Sequence, residues 1–280
     1  MSDIHDIHDI HDVSTADLTE GEAADRLSRV HGAGELQATV LALILPSGSR
    51  RALRAWQIET ANTKGAEALR AHAEALSGAA RLPWLEELLK RMAAQPLAAR
   101  QSLLQSTRRV MGARGVARPI DRLHWLTMRR GLGEVAPLAA RPEANIEVAE
   151  WLESDVLTVA VYSAFLSRMV PGDEVDSAAG QAWYDAVMST WQPFAEIPPW
   201  QPPNAEAMVE ALTRMQTLSW MQRPVIVRTW VTTAQTQSRG LRLADLSADA
   251  LRLSCTLLDS PLPPELSRHY IAVPGETAHR

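Results

Sequence analysis

The chain has 280 residues and a mass of 30.8 kDa, with 33 acidic against 28 basic side chains and a formal net charge of −5. Hydrophobic residues make up 46% and charged residues 22%, a globular composition that excludes wholesale disorder. One cysteine, Cys255, excludes an intramolecular disulfide framework and any multi-cysteine zinc site. The most apolar stretch, Leu36 to Leu45, falls short of the ~18 residues a bilayer span needs, and no basic region followed by an apolar one opens the chain. The expected address is the cytoplasm.

The first residues repeat Ile-His-Asp three times, from Ile4 to Asp12. His5, His8 and His11 are weak candidate ligands for a divalent metal. A flexible tail must lose conformational freedom before they converge, so residues 1–13 are expected to be a disordered tail. The folded body is expected to hold no metal and no cofactor.

From Ser14 the apolar period is helical. Thr19-x-x-Glu22 has capping-box spacing, and Leu36, Val40, Leu43 and Ile44 form one helical stripe before the Pro46–Ser49 break. Helices are predicted over 50–64, with Leu53, Trp56 and Ile58 apolar, and over 66–76. Pro83 is placed in the first turn of a helix striped by Leu85, Leu88, Leu89 and Met92; Pro96 and Pro119 open two more. Beyond a linker at Pro137–Pro142, helices are predicted over 148–169, 178–190, 205–217, 223–235 and 246–258, with a Pro-rich loop over 193–203. No alternating strand pairs appear. The fold class is therefore all-α, a bundle or array of helices.

Two halves are expected. Leu89-Lys90-Arg91-Met92 aligns with Leu212-Thr213-Arg214-Met215, Arg100 with Arg223, Arg114-Gly115 with Arg239-Gly240, and Val40 and Leu45 with Val161 and Leu166. Three segments agreeing in order suggest an internal duplication, with modules over 14–135 and 146–268 and a flexible C-terminal tail over 269–280.

The segments Leu82–Glu87 through Pro119–Leu123, and the ending Leu251–Pro264, resemble TerB-like helical modules. The chain looks most like the helical C-terminal extension of bacterial membrane-bound M48-family zinc metallopeptidases, over Ala23 to Leu266. That family tends to end in a Leu-Asp-Cys-Pro-Leu-Pro-Pro phrase; this chain reads Leu258-Asp259-Ser260-Pro261-Leu262-Pro263-Pro264. The peptidase is missing, because no glutamate follows any of the eight histidines and no His-Glu-x-x-His exists. The Asp-Gly that such modules often carry is replaced by Arg114-Gly115, followed by Asp121, and by Arg239-Gly240, followed by Asp245 and Asp249. A guanidinium in place of an oxygen ligand repels a cation.

Other groups have ordinary readings. His124 and Asp121, three apart on a helix, suggest a hydrogen-bonded pair rather than a catalytic dyad. Cys255 lies in an apolar run and reads as a buried small hydrophobe. The Ser47-Gly48-Ser49 loop lacks the Gly-Lys pair of a phosphate loop. Residues 81–130 hold eleven bases against three acids, and Arg108, Arg109, Arg122 and Arg129 are candidate contacts to nucleic acid or an anionic lipid surface. The net acidity and the absence of a DNA-reading motif weigh against nucleic acid, while peripheral membrane contact stays open. Trp191 and Trp200 flank the Pro-rich loop and are candidates for an exposed partner-binding surface. The expected function is a non-catalytic interaction or regulatory protein whose partner is another protein. An anionic-surface binder and an enzyme with an unrecognised site are the competing readings.

Overall fold

A computed structural model describes residues 18–133, 150–172, 177–239 and 242–273. The Ile-His-Asp tail, the linker at 137–142 and Gly240 lie outside the described residues. Those described form thirteen helices and no strand. They are α1 (Glu20–Ser28), α2 (Ala33–Leu43), α3 (Arg50–Thr60), α4 (Ala66–Ala75), α5 (Gly78–Ala93), α6 (Leu97–Gly112) and α7 (Pro119–Leu132). After the linker come α8 (Glu153–Leu166), α9 (Ser177–Ser189), α10 (Ala205–Met215), α11 (Gln222–Gln237), α12 (Asp245–Leu257) and the single turn α13 (Pro264–Ser267).

Local chemistry sets several helix starts. Thr19 and Glu22 close the expected capping box on α1, and Asn204 caps α10 through the Ala207 N–H. Pro119 is the first residue of α7, and the Asp121 carboxylate accepts the Arg118 N–H at 2.8 Å. Helix α3 ends at Thr60, before the expected Lys64, and Gly65 turns the chain into α4 with a left-handed φ of +75°. Ile58 is exposed, whereas Trp56 on the same helix is buried and donates its indole N–H to the Ala38 carbonyl at 3.0 Å.

Two helices are apolar nearly all round and form the centres of packing. Helix α2 is buried from Leu36 through Leu43 save Gln37, and α3, α4, α5 and α6 surround it. Helix α8 buries Val156, Val159, Tyr162, Phe165 and Leu166 against α9 and α10. Val40 of the proposed alignment falls on α2, with Leu45 just past its end, and Val161 and Leu166 fall on α8. Helix α12 packs on α7 and α5, so the apolar core is continuous between the first seven helices and the rest.

Pro83 is not in the first turn of its helix. It is the sixth residue of α5, where its missing N–H leaves the Ala79 carbonyl without its intrahelical partner. That carbonyl instead accepts the Ile271 N–H at 3.1 Å. The segment expected to be a flexible tail is therefore packed as far as the described residues go: His269 and Val273 are buried. An unpaired buried carbonyl costs about 1–3 kcal/mol, which is the physical reason the chain end returns to α5.

The C-terminus of α12 is capped by side chains from three other helices. Gln216 and Arg130 donate to the Leu257 carbonyl, Arg130 also to that of Thr256, and Arg223 to that of Leu258 at 2.6 Å. Asp259, in the left-handed region with φ +50°, turns the chain back and places its carboxylate beside Arg130. This accounts for the Leu-Leu-Asp-Ser-Pro ending as a helix stop.

Candidate functional site

Several arginines of 81–130 are engaged within the fold. Arg81 donates to the carbonyls of Leu43 and Ala73, at the ends of α2 and α4. Arg91 donates to the carbonyls of Leu27, Ser28 and Val30 and pairs with Glu87. Arg109 is held by Glu59, whose carboxyl that hydrogen bond keeps below the usual range. Arg108 lies over the Trp125 ring at 4.7 Å. Arg129 is exposed on α7, and Arg122 encloses an Nη1 with no hydrogen-bond partner.

The turn before α7 shows what the arginine in the Arg-Gly pair does. Arg114 and Arg118 both approach Asp121, at 3.5 and 2.9 Å, so guanidinium groups stand where a cation site would have its ion. Gly115 takes φ +94°; in the second turn Arg239 itself is left-handed, at φ +55°. Among the described residues no group of three or more His, Cys, Asp or Glu side chains is placed to hold a metal ion. With Asp121 so engaged, the expected His124–Asp121 hydrogen bond does not form. The His124 Nδ1 is enclosed without a partner, and burial pushes the imidazole down to about 4.

That burial gives a pH prediction. A histidine depressed from 6.5 to about 4 contributes stability that is present above pH 6.5 and is lost as pH falls through 4. Urea unfolding of the wild type should lose about 3 kcal/mol relative to His124→Gln between pH 7 and pH 4. Parallel curves would show that His124 is free to charge in the fold.

The tryptophan candidates are corrected by the structure. Trp191 is 2% exposed and sits edge-on to Trp151, ring centroids 4.3 Å apart. Trp200 is half-buried and donates its indole N–H to the Ser167 hydroxyl at 2.8 Å. Prolines irregularise a backbone without turning its side chains outward, and here the loop folds both rings inward. Cys255 is buried, with its thiol pushed up to about 12, so it is no nucleophile at neutral pH.

A polar cluster joins α5, α12 and the chain end. Arg252 pairs with Glu86 at 2.6 Å and lies over the Tyr270 ring at 4.4 Å. The Tyr270 hydroxyl donates to Asp249 and the His269 Nε2 meets Asp245, both at 3.0 Å. Adjacent residues 269 and 270 thus grip two carboxylates one turn apart on α12. Gly78 lets α5 approach, since a β-carbon there would stand 1.8 Å from the Asp245 carboxylate oxygen.

A concave apolar surface lies on α11. A groove of about 520 Å³ runs along α11 from the end of α9, lined by Thr190, Pro224, Val225, Arg228, Thr229 and the Thr232–Thr233 pair. Arg228 is its one ionisable residue. Beside it in the chain, Trp220 is 64%, Met221 46% and Val225 50% exposed, and Phe194, just past α9, is 48% exposed. These were not singled out from sequence, although Trp220 falls in the turn between α10 and α11, outside both buried stripes. A second cavity, of about 270 Å³, lies by the Ser47-Gly48-Ser49 loop; of its three arginines, Arg70 is engaged by Glu67 and Glu74 and Arg81 by carbonyls, while Arg50 is exposed at its edge.

No family model, curated protein or solved structure matches the chain. No described helix is long and apolar enough to cross a membrane.

Proposed function

We propose that the chain is a non-catalytic helical interaction or regulatory protein that docks another protein through the α9–α11 groove. The carrying observation is that groove: a concave surface with half-exposed Val225 and a single ionisable residue in its lining, and with exposed Trp220 and Met221 a few residues before it in the chain. A groove lined by threonine methyls, Pro224 and Val225 beside exposed apolar side chains suits protein recognition, and a lining without paired titratable groups supplies no acid–base machinery. The buried thiol of Cys255 and the enclosed His124 agree with a scaffold role. The resemblance to TerB-like and M48-associated helical modules supports the same reading, as a relative acting in the cytoplasm. The matched segments fall in order on α2 and α8, α5 and α10, and α6 and α11, which supports descent by duplication. Engagement of Arg81, Arg91, Arg118 and Arg130 within the fold leaves the anionic-surface reading with Arg108, Arg129 and the exposed but Glu59-paired Arg109 as its main donors.

Affinity purification from the native host tests this. Wild-type chain is expected to carry a stoichiometric protein partner that Trp220→Ser with Val225→Asp loses, with stability changed by less than about 0.5 kcal/mol per site because both are exposed. A partner retained by the double variant would move the interface elsewhere.

A further inference from the structure

The cavity beside the Ser47-Gly48-Ser49 turn gathers more positive charge than the fold neutralises. Its lining brings together Arg50 from the start of α3, Arg70 from α4 and Arg81 from α5, against the single carboxylate of Glu74. Glu74 pairs with Arg70, and so does Glu67 from outside the lining, so cations outnumber acids even when both are counted. Arg81 uses two of a guanidinium's five N–H groups on the Leu43 and Ala73 carbonyls. Burial opposes its charge, and Glu74 and Asp249 support that charge without forming an ion pair. Arg50 is exposed and, among the described residues, has neither a hydrogen-bond nor an ion-pair partner. We propose that this cavity binds the phosphate group of a small soluble phosphate monoester, held between the three arginines and the Ser47-Gly48-Ser49 turn.

The turn has no lysine of its own, but the fold brings cations to it from three helices. Gly48, at φ +75°, tightens the turn. The Ser49 hydroxyl oxygen accepts the Ala52 N–H at 3.3 Å, which leaves the hydroxyl proton free to donate, and the Ser47 hydroxyl has no partner among the described residues. The Arg50 N–H opens α3 without an intrahelical acceptor, at the positive end of the helix dipole. Three guanidinium groups on three helices can engage three oxygens at once, which suits a tetrahedral phosphate better than a planar carboxylate. At about 270 Å³ the cavity has room beyond the phosphate, and Leu45, Pro46 and Leu53 give it an apolar wall for a short carbon chain. No large exposed hydrophobic side chain lines it, so a lipid headgroup would bring no apolar anchor with it, whereas a soluble ester needs none. The cavity shares no residue with the α9–α11 groove.

Calorimetric titration of the full-length protein with glycerol phosphate, in a buffer free of phosphate and sulfate, tests the site. One equivalent should bind with a dissociation constant of about 1 mM or tighter, and inorganic phosphate should compete with it. Arg50→Ser removes the unpartnered cation from an exposed position, so it should weaken binding by about tenfold or more and leave Tm unchanged. Arg129→Ser removes an exposed arginine outside the cavity and should bind as the wild type does. Absence of saturable binding up to about 10 mM glycerol phosphate would overturn the proposal. So would an Arg50→Ser affinity equal to that of the wild type, or an equal loss in both variants, which would mean diffuse attraction to the surface. Sedimentation with vesicles of phosphatidylcholine and phosphatidate, without binding of glycerol phosphate, would overturn it in favour of a lipid headgroup.

Discussion

Arg252→Ala should destabilise the protein by about 3 kcal/mol and lower Tm by about 6–10 °C. The guanidinium is 13% exposed and gives Glu86 two N–H donors, at 3.0 and 2.6 Å, from a helix on the opposite side of the central linker. Truncation leaves the Glu86 carboxylate, 19% exposed, with only the longer 3.4 Å contact from Thr256, and removes the cation from the Tyr270 ring. Leaving one charge enclosed costs more than the pair itself contributes, which is why a single truncation is severe. Arg214→Ala provides the contrast. Its bond to Glu210 joins two side chains more than 60% exposed, and its loss should cost less than about 0.5 kcal/mol. Thermal unfolding of both variants measures the difference; similar Tm values would mean that α5 and α12 do not depend on the Arg252–Glu86 strut.

Trp230→Ala should cost about 4 kcal/mol, the larger of the two effects. The ring is fully buried on α11, packs 5.6 Å from the Tyr162 ring, and donates its N–H to the Ser163 hydroxyl at 2.9 Å. Alanine leaves a cavity in the centre of the α8–α12 packing and an unpaired hydroxyl within it. Trp230→Phe keeps most of the volume and loses the hydrogen bond, so it should fall near 2 kcal/mol. Denaturant midpoints at constant m-value separate the two; a loss for alanine under 1 kcal/mol would mean that the site collapses freely.

How much of this was legible in the sequence depends on the range of the interaction. The all-α class, the Thr19–Glu22 cap, the Pro119 start and the central stripe of α2 are set by neighbours within one or two turns, and they read correctly. Pro83 did not, because the donor that satisfies Ala79 is Ile271, far along the chain. The same distance hid the clasp: His269 and Tyr270 look like part of a polar tail until α12 is placed beside α5. The arginine count of 81–130 was accurate as composition but gave no sign of Glu59, Asp259 or the helix-end carbonyls that absorb the charge. The helix spacing of His124 and Asp121 was sound geometry, overridden because Arg118 reaches the same carboxylate. Trp191 and Trp200 turn inward because proline makes the backbone irregular without setting which way a ring faces. Trp220 carried the better signal, since it lies out of phase with the stripes at 208, 211, 212, 215 and at 226, 227, 230, 231.

The central claim is that the chain meets its partner at the α9–α11 groove and not at the arginine-bearing face of α7. Photo-crosslinking in the native host tests it directly, with a photoreactive phenylalanine analogue placed at Val225 in one protein and at Arg129 in another, both exposed positions. The account predicts a discrete protein adduct from position 225 and none from position 129. A nucleic-acid or lipid adduct from position 129, with position 225 silent, would contradict it.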